Sequence, residues 1–349
     1  MKSALCLGFA FLLSFFVGCQ SAPVSAHPAK AAAASAAPAR VWRGVHLLVE
    51  SDDRLVALQA QLPRLAAIGV NTLIVEVGYN FAFTSHPELA ASHGATPAHA
   101  HAFAAAARAL GIRVIPELDC LGHQSWKKKT SALLTHYPEF DETPGQFPEN
   151  DGIYCRSWCP RHPGVNAVVF ALIDELMDAF EADAFHVGLD EVFILASEFC
   201  PRCHGADPAV LFARVVNDLH RHIVDTRHAD MLMWGDRLLD AAALHGGKWE
   251  YAENGTAPAV DLIPKDIVIC DWHYEKQADY PSVPLLLRRG FRVWPTTWQP
   301  LANAQLFSSF SHRQNDPRVV GVLCSVWGRE SIERLPEWPP LVEILAEWK

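Results

Sequence analysis

The chain has 349 residues, half of them hydrophobic, and a formal net charge of -10 at pH 7. This acidic balance disfavours nucleic acid and anionic membrane surfaces as partners, and it fits uncharged or weakly charged ligands better. Residues 41–349 are apolar enough to bury a large core, and they have the usual size of a single α/β barrel domain.

Residues 1–18 have the pattern of a bacterial export signal. Lys2 precedes an apolar run over residues 4–18, which is shorter than the roughly 20 residues that a membrane span needs. The segment Phe16-Val17-Gly18-Cys19 resembles a lipobox, which predicts a lipid on Cys19. We therefore expect an exported protein in the periplasm or at the cell surface, anchored to a bacterial membrane by this lipid alone. The alternative is cleavage after Val24-Ser25-Ala26, a small-x-small site.

Residues 19–40 are rich in Ala, Ser and Pro and contain almost no large apolar side chain. Such a segment cannot bury enough surface to offset the entropy lost on ordering, so it predicts a flexible tether. The remaining chain, 41–349, is predicted to be one catalytic domain.

Apolar runs of β type alternate with amphipathic helical patterns along this domain, which indicates repeated βα units and a parallel sheet. Gly111 and Gly290 each stand directly before a strand, where a glycine ends the preceding helix. The pattern predicts a (β/α)8 TIM barrel. An open, doubly wound sheet is the rival, but no Gly-x-Gly-x-x-Gly loop follows the first strand. The predicted strands are Val41–Glu50, Asn71–Val77, Ile112–Leu118, Ala184–Asp190, Met231–Asp236, Ile267–Trp272, Phe291–Thr297 and Val319–Trp327.

Polar and aromatic side chains collect at the carboxyl ends of these strands, where barrel active sites lie. Indole rings complement the apolar faces of sugar rings, and carboxylates accept hydrogen bonds from sugar hydroxyls. The long third connection, from about residue 119 to 164, is expected on the same face. The candidates are Glu50, Glu76, Asp119, His123, Asp190, Glu191, Trp234, Asp236, Trp272, Tyr274, Trp298, Trp327 and Glu330.

Asp190 and Glu191 are the sharpest local signal, because two adjacent carboxyl groups leave a buried strand together. Burial and mutual repulsion favour the neutral form of such a group, which is the form that a general acid needs. The alternative is that both side chains are solvated in a loop or form a surface ion pair.

Several segments, in the same order along the chain, resemble motifs of the family 20 glycoside hydrolases, the β-N-acetylhexosaminidases. Residues 185–192 (FHVGLDEV) resemble the His-x-Gly-Gly-Asp-Glu motif, and residues 115–123 (IPELDCLGH) resemble its Pro-Glu-Ile-Asp-x-Pro-Gly-His segment. Residues 42–44 (WRG), 233–236 (MWGD) and 326–327 (VW) match further positions. The resemblance spans residues 42 to about 330 and implies the barrel fold.

The resemblance implies an exo-acting, retaining glycosidase that removes terminal β-linked N-acetylhexosamine. Glu191 would be the general acid. Asp190 would orient the 2-acetamido group of the substrate, which acts as the nucleophile in the substrate-assisted variant of glycoside hydrolysis. Neither a metal nor an organic cofactor is implied.

The same resemblance implies roles in substrate binding. Arg43 would hold outer hydroxyls, His123 would orient the site, and the indoles would wall the pocket. We add strand-end residues as neighbours in the same pocket. The full substrate-binding set is Arg43, His123, Trp234, Asp236, Trp272, Tyr274, Trp298, Trp327 and Glu330.

The sequence departs from the family pattern at three places. Leu189 replaces the second Gly of the motif, and residues 76–80 (EVGYN) replace an Asp-rich segment. The Tyr expected near the seventh strand is not evident, although Trp298 lies near that position and Tyr274 is a possible substitute. Two alternatives therefore stay open: a glycan-binding lipoprotein without catalysis, and a glycosidase for another sugar that pairs Glu191 with a different carboxylate, namely Glu76, Asp119 or Asp236.

Four cysteines stand in polar, Pro-rich loops, apart from those in strand patterns: Cys155, Cys159, Cys200 and Cys203. An oxidising compartment favours one or two structural disulfides among them. The spacing, with His162 and His204 nearby, is also compatible with a structural zinc.

Overall fold

The computed structural model describes residues 41–328 and 330–349. The predicted signal, Cys19 and the tether lie outside these residues. Eight parallel strands form a closed barrel in the order β1-β8-β7-β6-β5-β4-β3-β2, with β1 paired to both β8 and β2. The strands are β1 (Trp42–Leu48), β2 (Thr72–Glu76), β3 (Arg113–Cys120), β4 (Ala184–Gly188), β5 (Asp230–Trp234), β6 (Val268–Trp272), β7 (Arg292–Thr297) and β8 (Gly321–Val326).

Helices surround this barrel. The ends of each predicted strand agree with those of an observed strand to within two residues. The closed order confirms the (β/α)8 prediction and excludes the open sheet. No helix in residues 41–328 or 330–349 is long and apolar enough to cross a membrane. The helices are α1 (Asp52–Ile68), α2 (Pro97–Ala109), α3 (Ala132–His136), α4 (Val165–Ala179), α5 (Pro208–His220), α6 (Ala241–Leu244), α7 (Ser282–Arg288), α8 (Leu301–His312) and α9 (Pro339–Glu347).

Helix α1 illustrates how local sequence sets the ends of these elements. The Ser51 side chain accepts a hydrogen bond from the backbone N–H of Arg54. Two acidic residues in the first turn interact favourably with the positive end of the helix dipole. Gly69 ends the helix with φ 105°, a left-handed conformation that glycine adopts at little cost. Leu55, Leu58 and other apolar side chains on one face are buried against the barrel.

The barrel interior is filled by its own cluster of apolar side chains, separate from the layer between strands and helices. Trp294 of β7 lies fully buried in this interior, with its edge against Trp42 at a centroid separation of 5.2 Å. Gly44 of β1 makes room for it, since a Cβ at Gly44 would stand 2.2 Å from Trp294 Cζ2. The filled interior closes the barrel below the strand ends where the predicted site lies.

Candidate active site

A cavity of about 1530 Å³ opens at the carboxyl ends of the barrel strands. The loops after nearly all strands contribute to its wall, which mixes acidic and aromatic side chains. Most of the predicted strand-end residues line it, as do several that the sequence did not indicate. The predicted residues that line it are Glu50, Glu76, Asp119, His123, Asp190, Glu191, Trp234, Trp272, Tyr274, Trp298 and Trp327.

Asp190 and Glu191 face this cavity side by side, with His123 between them. His123 Nε2 lies 3.3 Å from Asp190 Oδ2 and 3.3 Å from Glu191 Oε2. Burial alone would lower the pKa of His123, but the charge of Asp190 and contacts with both carboxylates raise it well above its usual value. A cationic imidazole therefore offsets part of the repulsion between the two carboxyl groups.

The backbone at the end of β4 is left-handed at three of four residues. Gly188, Leu189 and Glu191 have φ of 65°, 73° and 47°. A Cβ at Gly188 would stand 2.4 Å from Asp119 Oδ1, so glycine is required there. Leu189 has no such freedom, and a non-glycine residue in this conformation costs on the order of 1–3 kcal/mol. Its side chain is buried in the core, which supplies compensating contacts and explains why Leu is tolerated at a Gly position of the motif.

Asp236 follows β5, but it supports the site instead of contacting a ligand. Its Oδ2 accepts the backbone N–H of Glu191 at 2.9 Å and Arg237 Nε at 2.6 Å, while Oδ1 accepts Trp272 Nε1 at 3.3 Å. The side chain is almost fully buried outside the cavity wall. The structure therefore places Asp236 behind the cavity wall, where protein donors contact both of its oxygens, and it does not bring this side chain to the predicted substrate position.

Aromatic rings from three strand ends form one wall of the cavity. Trp327 Nε1 donates to the Tyr274 hydroxyl at 3.0 Å. The Tyr274 ring lies 5.0 Å from that of Trp272 and 5.4 Å from that of Trp298. The predicted indoles and Tyr274 are thus brought together as a continuous surface against which a sugar ring could pack.

A hydrogen-bonded network orients Tyr274 from behind. Glu250 Oε1 accepts the Tyr274 backbone N–H at 2.8 Å, and Glu250 Oε2 lies 2.6 Å from Nδ1 of the buried His273. His273 Nε2 lies 2.7 Å from the Ser282 hydroxyl, which donates to Asp271 at 2.7 Å. These groups hold the segment after β6 in one conformation.

A second network lies under the cavity floor. Trp234 Nε1 donates to Glu117 Oε1 at 3.0 Å, and Glu117 also pairs with His186 at 2.7 Å and His46 at 3.2 Å. Burial would raise the pKa of Glu117, but the two histidines outweigh it and lower the pKa to about 2. His46 also lies 3.0 Å from Glu76, which reaches the cavity. The signal for this network in the sequence is a polar residue inside an otherwise apolar strand, as at His46, Glu117 and His186.

Tyr154, from the long connection after β3, is a cavity residue that the sequence did not indicate. Its ring lies 6.0 Å from that of His123 and 4.9 Å from that of Trp249. Burial and the adjacent Glu191 charge raise the pKa of its hydroxyl. Tyr154 therefore remains a neutral hydroxyl beside the predicted acid.

Arg43 and Glu330 are not brought to the cavity wall. Arg43 is the second residue of β1, so it lies at the amino end of the barrel, where its Nε donates to the Gly69 carbonyl at 2.7 Å. The structure therefore does not bring Arg43 to the cavity, which lies at the opposite end of the strand, and the predicted contact with sugar hydroxyls has no support from this geometry. Glu330 is partly buried in the segment beyond β8 and lies outside the wall.

The four loop cysteines are all free thiols. Cys155 stands apart, with its Sγ 3.6 Å from the Glu191 carbonyl oxygen. Cys159 lies 3.4 Å from Cys200 and 3.5 Å from Cys203, measured between Sγ atoms. Three of the four thiols thus meet at one point and Cys155 is elsewhere, and none of these sulfur pairs is at the length of a disulfide bond.

A (β/α)8 barrel with a carboxylate pair and indole walls at its carboxyl face defines the class of carbohydrate-active barrels. The family model of the glycosyl hydrolase family 20 catalytic domain matches residues 60–330. Since this match covers well over half of the chain, the chain belongs to glycosyl hydrolase family 20.

Relatives agree with this membership. A β-hexosaminidase of Vibrio furnissii is 26% identical over 244 residues, covering 67% of this chain and 33% of the relative. A β-hexosaminidase of Akkermansia muciniphila is 35% identical over 105 residues, covering 28% of this chain and 19% of the relative. The chain thus spans a third or less of the length of these curated relatives.

Solved structures show the same fold at low identity. The β-N-acetylhexosaminidase from Bacteroides fragilis superposes with a TM-score of 0.63 at 14% identity, over 88% of this chain and 66% of that one. The enzyme from Streptomyces coelicolor gives 0.60 at 16% identity, over 88% and 64%. These likenesses establish the barrel.

Proposed function

We propose that the protein is an exo-acting glycoside hydrolase that removes terminal β-linked N-acetylhexosamine with retention of configuration. The observation that carries the proposal is the Asp190-Glu191 pair, which faces a cavity lined by six tryptophans at the carboxyl face of the barrel. Membership of family 20 and the β-hexosaminidase relatives support the sugar class.

The floor of the cavity is Trp234, which is 1% exposed and bonded to Glu117 inside the barrel. The cavity is therefore closed towards the barrel interior. The exo mode of attack in this proposal is what the family resemblance implies.

In the proposed mechanism Glu191 gives its proton to the glycosidic oxygen as the bond from that oxygen to C1 breaks. The oxygen of the substrate's 2-acetamido group forms a bond to C1, and a cyclic oxazolinium intermediate results. Asp190 stabilises the positive charge that develops on the acetamido nitrogen. Water, deprotonated by Glu191, then opens the ring and restores the acid.

The neighbouring carboxyl groups are poorly suited to act as an enzyme nucleophile. Burial, together with the charges of Glu76 and Asp190, raises the pKa of Asp119 well above its usual value. Burial likewise raises the pKa of Glu76. Because the neutral carboxyl is the weaker nucleophile, these groups favour substrate assistance over a covalent glycosyl-enzyme.

The test compares aryl glycosides that share one leaving group and differ at C2. We expect N-acetylglucosaminide or N-acetylgalactosaminide to be cleaved and the glucoside and galactoside to be inert. Asp190→Asn should lower kcat by about 10²–10³-fold, since the amide cannot balance the developing charge. Asp261→Asn, in an exposed pair with Arg289, is the matched control and should retain full activity.

Three results would reject the proposal. The first is efficient cleavage of plain glucosides or galactosides. The second is a covalent adduct on an enzyme carboxylate, trapped by a 2-fluoro sugar. The third is saturable glycan binding without hydrolysis of any of these substrates, which would indicate a binding protein.

We also propose that the enzyme is exported and lipid-anchored through Cys19. The lipobox-like residues 16–19, directly after the apolar run, support this. Cys19→Ala should abolish acylation and move the protein from the membrane pellet to the soluble fraction. Cleavage after Ala26 in the wild-type protein, seen by mass spectrometry, would contradict the proposal.

A further inference from the structure

Three cysteines and one glutamate converge where the connection after β3 meets the connection after β4. Cys159 Sγ lies 3.5 Å from Cys203 Sγ and 3.4 Å from Cys200 Sγ. A carboxylate oxygen of Glu142 joins them, and the four atoms all lie within 4.8 Å of one another. All four side chains are buried.

These separations suit a tetrahedral metal site. Thiolates bound to one zinc ion at about 2.3 Å stand about 3.8 Å apart, close to the observed spacing of the sulfur atoms. A disulfide could join only two of the three thiols. It would leave the third thiol and the buried Glu142 carboxylate outside the link.

Glu142 provides an independent observation. Its Oε1 accepts the backbone N–H of Ser197 at 3.1 Å, but Oε2 is buried and has no hydrogen-bond partner among the described residues. An unpaired oxygen on a buried carboxylate is costly unless a cation or donor satisfies it. The Glu142 side chain has no surface exposed to solvent.

We propose that Cys159, Cys200, Cys203 and Glu142 bind a structural zinc ion. The Cys-x2-Cys spacing of Cys200 and Cys203 is typical of structural zinc sites, and four protein ligands leave no open position for catalysis. Glu142 takes the fourth position in place of a histidine. His162 packs on Phe140 instead, at a ring separation of 4.6 Å.

The ion would join two of the loops that build the active site. Glu142 and Cys159 belong to the connection after β3, which also carries His123 and Tyr154. Cys200 and Cys203 belong to the connection after β4, which begins with the Asp190-Glu191 pair. Zinc at this point therefore cross-links the segments that present the acid and its neighbours to the cavity.

The experiment measures metal and thiols on the full chain, and it does not depend on the proposed activity. Elemental analysis of protein grown with zinc should give about one zinc per chain. Replacement by Co²⁺ should produce the intense sulfur-to-cobalt charge-transfer absorption of several thiolate ligands. Chelator should abolish this signal, lower the melting temperature and make three additional thiols reactive.

Variants assign the ligands. Cys200→Ser and Glu142→Ala should each weaken zinc binding at least tenfold. Cys324→Ala, which removes a buried strand cysteine of β8 outside the cluster, should keep the full metal content. If the ligand variants fail to fold, the wild-type stoichiometry and cobalt spectrum still decide.

The proposal is overturned if purified protein holds no zinc after incubation with Zn²⁺ and two of the three thiols are missing from a denatured, unreduced sample. That result would identify a disulfide. Unchanged zinc content in a folded Cys200→Ser or Glu142→Ala variant would place the metal elsewhere and overturn it equally.

Discussion

The carboxylate of Asp236 accepts the backbone N–H of Glu191 at 2.9 Å, so the end of β5 holds the acid at the end of β4. The same carboxylate pairs with the buried Arg237, whose Nη2 donates to the carbonyl oxygens of Lys248, Trp249 and Tyr251. The Asp236–Arg237 pair thus connects the acid to the loop that carries Trp249 and Glu250 of the cavity wall.

Asp236→Asn should disturb both stability and turnover. Breaking one side of a buried ion pair costs about 3–5 kcal/mol, because the remaining charge is left unpaired. We expect the free energy of unfolding to fall by that amount and kcat to fall more than KM rises, since Asp236 positions Glu191 without touching the substrate. Urea unfolding and steady-state kinetics measure the two effects.

The control for that variant is Asp261→Asn, whose pair with Arg289 is about half-exposed on both sides. Exposed pairs contribute about 0–1 kcal/mol, so its stability should be close to wild type. Equal losses in the two variants would show that the buried pair has no special role.

Glu191→Gln should separate substrates by their leaving groups. An unactivated disaccharide needs protonation of the leaving oxygen and should lose about 10²–10⁴-fold in kcat. The leaving group of an aryl glycoside with an acidic phenol departs without that proton, so kcat for this substrate should fall far less. Near-normal turnover of the disaccharide by this variant would remove Glu191 from the role of acid.

His273 should contribute a part of the stability that depends on pH. Burial alone would lower its pKa, but Asp271 and Glu250 raise it to about 9. A histidine whose pKa is raised in the folded state makes its full contribution to the free energy of unfolding below a pH of about 6.5. This contribution is lost as the pH rises through the folded pKa. The difference in unfolding free energy between wild type and His273→Gln should therefore shrink by about 3 kcal/mol from pH of about 6 to above 9.

Urea unfolding of both proteins across this range provides the measurement. A difference that stays constant with pH would mean that His273 is buried in its neutral form. The lower pKa of Glu250 beside it is the reciprocal effect of the same pair.

Gly44→Ala should destabilise the barrel. The new Cβ would stand 2.2 Å from Trp294 Cζ2, inside a filled interior where the indole cannot move away. Overpacking of this kind costs typically about 1–3 kcal/mol. Gly247→Ala is the control, because its Cβ would meet no described atom within 4 Å. Thermal unfolding should distinguish the two, and equal melting temperatures would contradict the packing argument.

Local pattern was sufficient for the fold and for the centre of the site. Alternating apolar runs and helical periods place all eight strands, because burial of one face imposes those periods directly on the sequence. Asp190, Glu191, Trp272 and Trp327 could be identified because parallel strands bring their carboxyl ends to one face of a barrel.

Tertiary structure decided which of these side chains face the cavity and which support it. The Asp236 side chain contacts the Glu191 backbone instead of the cavity. Tyr154 belongs to a long connection, and no periodic pattern in the sequence predicts the path of that connection. Arg43 lies at the amino end of β1, away from the cavity, although the residues around it match the family motif. The direction of the strand sets this position. Glu142 joins three cysteines from 17 to 61 positions away in the sequence. Sequence determines local period and strand direction, but contacts between loops depend on how distant segments pack around the finished barrel.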